Sequence, residues 1–420
     1  MNHALMLASL ALKNLTRHKR RTIITATALA MGLGMFILFD SLLTGLENDG
    51  VRTMIWYDTA GLQVQNAAYW GDKDLMPLDA YISNPEAVIA RLKEKGYEAT
   101  PRAVFSGEMI VNKDPWPESG SVRARFFAID SSRDARVFKL TECIQQGHWL
   151  TPGEEGIVIG AQMAKDLGAE IGFPVTIVTR TRDGAYQTMD FTVTGIINTP
   201  NAAVNRLNVY MDLGVANDYL ELEGTVNQVA IAFDEERDAA GEARKIAKDL
   251  ETVEPNLTVL PWKITGEDFL AFVQSRQGLS KILLLLVFII AAVGVSNTML
   301  LTILERRREI GMLRAQGMQD SEVMICLLVE AGLIGLLGGI LGLLISLPFN
   351  VNLINTGLNV SGLMNSVGAD LPFTGRLRGA WHSQTMIFSV LMGIALSVAV
   401  SVFPVRRSTE MQITDCLRQN

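Results

Sequence analysis

The chain has 420 residues, of which 49% are hydrophobic and 19% are charged, and its net charge is −7. Soluble domains usually carry about 25% charged residues, so this composition argues against an ordinary soluble globular protein. The apolar residues fall into long runs, which predicts a membrane protein.

The chain begins with a short amphipathic segment, residues 1–21. Apolar side chains share one helical face, and polar or basic side chains share the other, which is typical of a helix lying in a membrane interface. The apolar face consists of Leu5, Ala8, Leu12 and Leu15. We expect this helix to lie among the lipids of the inner leaflet; a plain helical start to the first span is the alternative. The apolar run that follows is too long for a cleaved signal peptide.

Four apolar stretches are long enough to cross a hydrocarbon core of roughly 30 Å. They are residues 22–46, 279–304, 323–349 and 384–405. Basic clusters stand beside three span ends, at residues 17–21, 306–308 and 406–407. Four crossings place these clusters on one side, which is then the cytoplasm. The predicted segments between and after the spans are an external domain at 47–276, a cytoplasmic loop at 305–322, a short external loop at 350–383 and a cytoplasmic tail at 406–420.

The external segment is acidic, with 35 Asp and Glu against 22 Lys and Arg, which argues against binding to nucleic acid. Alternating or β-branched runs predict strands, and residues 84–96 and 234–251 have helical patterns. We expect an inserted α+β domain, with helical stalk extensions of the flanking spans at 41–51 and 266–278. The predicted strands are GLQVQ, AVFSGEMIV, VRARFFAID, PVTIVTR, MDFTVTGII, LNVYM and NQVAIAF.

No catalytic chemistry is predicted for this domain. The chain has four histidines, and none has a metal-ligating partner three or four residues further on. The sequence also contains no nucleophile-elbow or zinc-protease motif. We therefore predict neither a metal site nor a bound cofactor.

The stretch ERRREIGMLRAQGM, residues 305–318, is a charged block between two apolar spans. Ile310 and Leu313 recur at helical spacing, with Met312 and Met318 beside them. This spacing predicts a short amphipathic helix that Gly317 can end in a left-handed conformation. The charged residues of the block are Glu305, Arg306, Arg307, Arg308, Glu309 and Arg314. Arginines after a span are also plain topology signals, but the ordered apolar stripe favours contact with a cytoplasmic protein.

This block, extended as ERRREIGMLRAQGMQDSEVMICLLVEAGLIGLLGGILG, resembles the signature of FtsX/MacB-like permeases of ABC transporters. The external stretch GIVIGAQMAKDLGAEIGFPVTIVT resembles the periplasmic domain of that family, and both chain ends resemble its entry and tail. The resemblance implies a membrane α-helical protein with four transmembrane helices and an inserted α+β periplasmic domain. It also implies a mechanotransmission permease of the bacterial inner membrane, working as two permease subunits, identical or homologous, with two ATPase subunits.

The sequence has no phosphate-binding loop of the form G-x-x-x-x-G-K-[ST]. We therefore expect a non-catalytic membrane subunit whose partner, a separate ABC ATPase dimer, uses ATP and Mg²⁺. The apolar stripe would then enter a cleft on that ATPase, and the arginines would pair with acids at the rim of the cleft.

Two further sets of membrane residues are candidates for specific roles. Small residues on the third span predict close helix packing; they are Gly332, Gly335, Gly338, Gly339 and Gly342. Residues near the outer ends of the first two spans are candidates for lining a substrate cavity, although aromatic residues there are commonly plain packing. They are Phe36, Phe39, Asp40, Leu43, Phe269 and Phe272.

Three functions fit the resemblance. The first is release of lipoproteins from the inner membrane, as in Lol-type permeases, with a periplasmic lipoprotein carrier as a further partner. The second is MacB-like efflux of peptides, toxins or antibiotics through an outer-membrane channel. The third is FtsX-like signalling to a cell-wall hydrolase, which the long external domain disfavours. The sequence leaves open the substrate and whether the two permeases are identical.

Overall fold

The computed structural model describes residues 19–111, 121–234, 238–359 and 376–409. Most of the predicted interfacial helix and of the cytoplasmic tail therefore lies outside the described residues. The chain divides into two compact units. The helical unit comprises Met1–Glu47, Val273–Leu358 and Leu377–Asn420, and the β unit comprises Asn48–Phe272 and Asn359–Arg376.

The helices and strands are as follows. The helices are α1 (Lys19–Met54), α2 (Pro85–Glu94), α3 (Ser131–Val137), α4 (Ala161–Leu167), α5 (Ala202–Leu207), α6 (Leu213–Leu220), α7 (Ala239–Leu250), α8 (Trp262–Thr265), α9 (Glu267–Glu305), α10 (Arg307–Ala315), α11 (Asp320–Asn355) and α12 (Ser383–Thr409). The strands are β1 (Leu62–Asn66), β2 (Ala99–Val111), β3 (Ser121–Ile129), β4 (Ile144–Gly147), β5 (Gly156–Gly160), β6 (Pro174–Arg180), β7 (Tyr186–Ile197), β8 (Asn208–Asp212), β9 (Gln228–Ile231), β10 (Leu257–Pro261), β11 (Leu358–Asn359) and β12 (Arg376–Leu377).

Four of these helices, α1, α9, α11 and α12, are long and apolar enough to cross a membrane. The four predicted spans fall on them. Helix α1 has 36 residues, which is about 54 Å at about 1.5 Å per residue, well beyond the roughly 30 Å of a hydrocarbon core. Helix α9, with 39 residues, is longer still. The excess lies where the sequence predicted helical stalk extensions.

Glycines on α11 allow its close packing against two neighbouring helices. A side chain on Gly342 would lie 2.8 Å from the carbonyl oxygen of Ala30 on α1, and one on Gly335 would meet the carbonyl oxygen of Gly393 on α12. The other three predicted packing glycines also face these helices: Gly338 faces α1, and Gly332 and Gly339 face α12. Helix α11 is therefore the centre of the helical unit.

The β unit is built on a ten-stranded mixed sheet in the order β10-β1-β9-β2-β3-β8-β5-β7-β4, with β6 paired to β2 and β7. Most pairs of neighbouring strands are antiparallel, whereas β3–β8 and β5–β7 are parallel. The seven predicted strands correspond to β1, β2, β3, β6, β7, β8 and β9. The two predicted helices correspond to α2 and α7, and the Asn84 side chain caps α2 by accepting a hydrogen bond from the Ala87 amide.

Candidate coupling site

Helix α10 occupies the predicted amphipathic block and has a defined beginning and end. Arg306 breaks the helical geometry between α9 and α10, with φ −98° and ψ 13°. At the other end Gly317 has φ +96°, a conformation that favours glycine, and the Met318 amide donates back to the Leu313 carbonyl at 3.1 Å. Two tight junctions therefore position α10 between α9 and α11.

The apolar residues of α10 do not form one outward-facing stripe. Ile310 is only 5% exposed and packs in a cluster with Ile303, Val323, Leu327 and Val405. The Ile310 side chain therefore joins α10 to α9, α11 and α12, and its predicted contact with a cytoplasmic protein stays a prediction. Met312 and Leu313 are 50% and 37% exposed, so they are the residues of the predicted stripe that remain accessible.

A mainly apolar cleft of about 230 Å³ lies between α10 and the first turns of α11. Met312 and Leu313 contribute to one wall, and Val323 and Cys326 to the other. The remaining lining residues are Arg306, Glu309, Ile310, Gln316, Met318 and Leu327. The cleft has room for an apolar side chain.

The arginines of the block differ in their partners. Arg306 donates from Nε to Glu309 and from Nη1 to Glu330, each at 3.0 Å. Arg314 lies 2.7 Å from the Asp320 carboxylate. These two side chains are engaged within the chain, and the pairing of the arginines with acids on a partner stays a prediction. Arg308 is exposed and Arg307 is half-buried.

The candidate substrate-cavity residues are divided between the two units. Phe36 is buried and Phe39 and Leu43 are half-buried in the helical unit. Phe269 belongs to the β unit, where its ring packs on Gly50 and against a core cluster, which is a packing role. The side chain of Phe272 lies outside what the structure describes.

Asp40 has a partner that the sequence did not predict. Nδ1 of His382 lies 2.9 Å from its carboxylate and 2.9 Å from Oγ1 of Thr385. Next to it, Ser41 donates to Oδ1 of Asn350 at 2.6 Å. These bonds join α1, α11 and α12 at one end of the helical unit, so Asp40 is explained by helix–helix contacts.

Glu330 is, like His382, a residue whose role the sequence did not predict. It is 5% exposed on an apolar helix, and ionisable residues in such segments are rare and usually have a specific role. That rule, applied to the third predicted span, would have identified it.

Two family models match this chain. A model of the MacB-like periplasmic core domain matches residues 22–248, which is more than half of the chain. A model of the FtsX-like permease C-terminal region matches residues 281–413. The two matches do not overlap, and together they cover most of the chain.

Three of the curated relatives that match this chain have low identity to it. An uncharacterised ABC transporter permease of Methanocaldococcus jannaschii is 26% identical over 66% of this chain and 65% of its own length. The lipoprotein-releasing system transmembrane protein LolC of Neisseria meningitidis is 22% identical, and the match covers 94% of each chain. The macrolide export ATP-binding/permease protein MacB of Pasteurella multocida is 22% identical over 98% of this chain but only 60% of its own length.

Proposed function

The chain belongs to the family of ABC transporter permeases with a MacB-like periplasmic core domain and an FtsX-like C-terminal region, and from this premise we propose that it extracts lipoproteins from the inner membrane. In this proposal a separate ABC ATPase dimer hydrolyses ATP in the cytoplasm, and two permease subunits convert its motion into periplasmic work. A periplasmic carrier then receives the released lipoprotein.

The observation that carries the coupling role is the position of α10. It presents two accessible apolar residues, Met312 and Leu313, beside an apolar cleft, while its other face is joined to the spans by Ile310. A partner that binds the accessible face can therefore displace α10 and the helices packed on it together.

The choice of lipoprotein release rests on the match to the LolC protein, which covers 94% of both chains. The MacB relative is longer, and the match leaves 40% of it uncovered. Extraction needs external energy because each buried CH₂ of a lipid anchor contributes about 0.8 kcal/mol to membrane binding. MacB-like export remains the second candidate, because the MacB-like core model matches residues 22–248.

The proposed topology has four spans, with both termini in the cytoplasm of a bacterium and the β unit in the periplasm. The basic residues beside the spans support this orientation. Arg306, Arg307 and Arg308 follow α9, and Arg406 and Arg407 lie in the last turn of α12.

Depletion of the protein, followed by fractionation of the two membranes, tests the proposed function. We expect outer-membrane lipoproteins to accumulate in the inner membrane, and to return to the outer membrane when the wild-type chain is restored. Correct sorting during full depletion would contradict lipoprotein release. Increased sensitivity to antibiotics with normal sorting would instead support export.

A further inference from the structure

The ion pair between Arg306 and Glu330 lies at the junction of three helices. Arg306 stands at the break between α9 and α10, and Glu330 lies ten residues into α11, about 15 Å from the start of that helix. The two side chains are 12% and 6% exposed, and Nη1 of Arg306 lies 3.0 Å from the Glu330 carboxylate.

Burial of this pair is unfavourable in itself. A charged side chain in an apolar helix is costly, and a buried ion pair often stabilises a fold no better than two apolar side chains would. The best-supported role of buried ion pairs is to fix the register of one helix against another. The contribution of the pair to stability therefore does not explain its presence, whereas its position between helices can explain it.

Arg306 connects two carboxylates that belong to different helices. Its Nε binds Glu309 in the first turn of α10, and its Nη1 binds Glu330 on α11. A planar guanidinium can hold two carboxylates in fixed directions, whereas a Lys ammonium acts as a single point charge. The geometry thus ties the start of α10 to one level of α11.

The apolar contacts nearby are not directional. Ile303, Ile310, Val323 and Leu327 pack together, and hydrophobic contact depends on the area removed from water and not on direction. Such a cluster keeps the helices together without fixing how they are rotated or shifted along one another. The ion pair adds a buried directional constraint that this cluster lacks.

We propose that Arg306 and Glu330 are positioning residues whose ion pair fixes the register of α10 on α11, so that a displacement of α10 moves α11. This inference deepens the proposed coupling function and rests on it for the identity of what displaces α10. Register itself is a property of this chain and is measurable without the ATPase.

Distance measurement between spin labels on the full-length chain in lipid nanodiscs tests the proposal. The labels replace the exposed residues Ala315 on α10 and Leu337 on α11, in a background where the native cysteines are serine. We expect one narrow distance distribution for the wild-type pair. Glu330→Gln and Arg306→Lys should each widen it at least about twofold, because the two-carboxylate geometry is lost.

Two further variants separate register from stability. In Arg306→Met with Glu330→Leu, no buried charge is left unpaired, so thermal stability should return to the wild-type value while the distribution stays wide. Asp320→Asn is the matched control, because it removes the other ion pair between α10 and α11, whose carboxylate is 58% exposed; it should leave the distribution unchanged. A wild-type distribution in Glu330→Gln and Arg306→Lys, or in the stable double variant, would overturn the proposal.

A second measurement separates this inference from the proposed function. In the complex with the ATPase, Glu330→Gln should bind the ATPase and hydrolyse ATP within about twofold of wild type, while ATP-driven lipoprotein release falls about tenfold or more. Release at the wild-type rate would overturn the inference. If the wild-type complex hydrolyses ATP but releases no lipoprotein, the proposed function fails and the distance result still decides the role of the pair.

Discussion

Each unit of the molecule buries an arginine–carboxylate pair, and the two pairs are built differently. In the β unit, Arg102 donates from Nε and Nη2 to the two oxygens of Asp134 at 2.8 and 2.9 Å, and the side chains are 0% and 1% exposed. The guanidinium also lies 3.4 Å from the centre of the Phe138 ring. In the helical unit, Arg306 divides its donors between Glu309 and Glu330.

This difference indicates what each pair does. The bidentate pair joins β2 to α3, which lie within one packed domain, so loss of either partner should destabilise that domain. The divided pair joins the break before α10 to α11, and we propose that it sets the relative position of these two helices. Three substitutions test the contrast, from the largest expected effect to the smallest.

The largest effect is expected in the β unit. Asp134→Asn leaves the Arg102 charge buried without its counter-ion, and removing one partner of a buried pair typically costs about 3–5 kcal/mol. We expect the free energy of unfolding of the β unit to fall by this amount, measured by denaturant titration of the detergent-solubilised full chain. The double variant Arg102→Met with Asp134→Leu should recover most of the loss. A change below about 1 kcal/mol in Asp134→Asn would contradict a structural role for the pair.

A smaller effect is expected at the packed face of α11. Gly335→Ala places a methyl group against the Gly393 carbonyl oxygen on α12, and overpacking typically costs about 1–3 kcal/mol. Gly294→Ala on α9 is the control, because its added methyl group meets no described atom within 4 Å. We expect a lower thermal midpoint for Gly335→Ala alone. Equal thermal midpoints for Gly335→Ala and Gly294→Ala would contradict close packing of α11 against α12 at this position.

The smallest effect on stability is expected at the accessible face of α10. Leu313→Asp changes a 37% exposed side chain, so the fold should change by less than about 1 kcal/mol. Binding of the ATPase, measured by co-purification and titration, should nevertheless weaken at least about tenfold, because a charge then enters an apolar contact. Ala315→Asp is the control, because it adds the same charge at an exposed position of α10 that does not line the cleft. Equal weakening by both variants would contradict a specific apolar contact.

Periodicity and turn chemistry were sufficient to predict much of the fold. The four long apolar helices, their continuation beyond the predicted spans and seven strands could be predicted because their apolar residues repeat at helical or strand spacing. Strands β5 and β10 were missed for a physical reason. Strand β5 has only five residues with a glycine at each end, and β10 is an equally short run that ends in a proline; both residue types are depleted in strands.

The location of the candidate site in the sequence could be predicted, but the direction in which its side chains face could not. The sequence located α10 and its terminal glycine, because both depend on neighbouring residues. It could not show that Ile310 faces inward, since that depends on Val405, which is 95 residues further along the chain. The partners of Arg306 and Asp40 were missed for the same reason, because Glu330 and His382 are brought near only by helix packing.

The most direct test of the account is ATP-driven release of a lipoprotein from proteoliposomes that contain the full chain with its ATPase. We expect release into the soluble fraction with the wild-type chain and with Ala315→Asp, and none with Leu313→Asp, although all three chains insert equally. Release that needs no ATP, or that continues in Leu313→Asp, would contradict the claim that α10 transmits the motion of the ATPase to the periplasm.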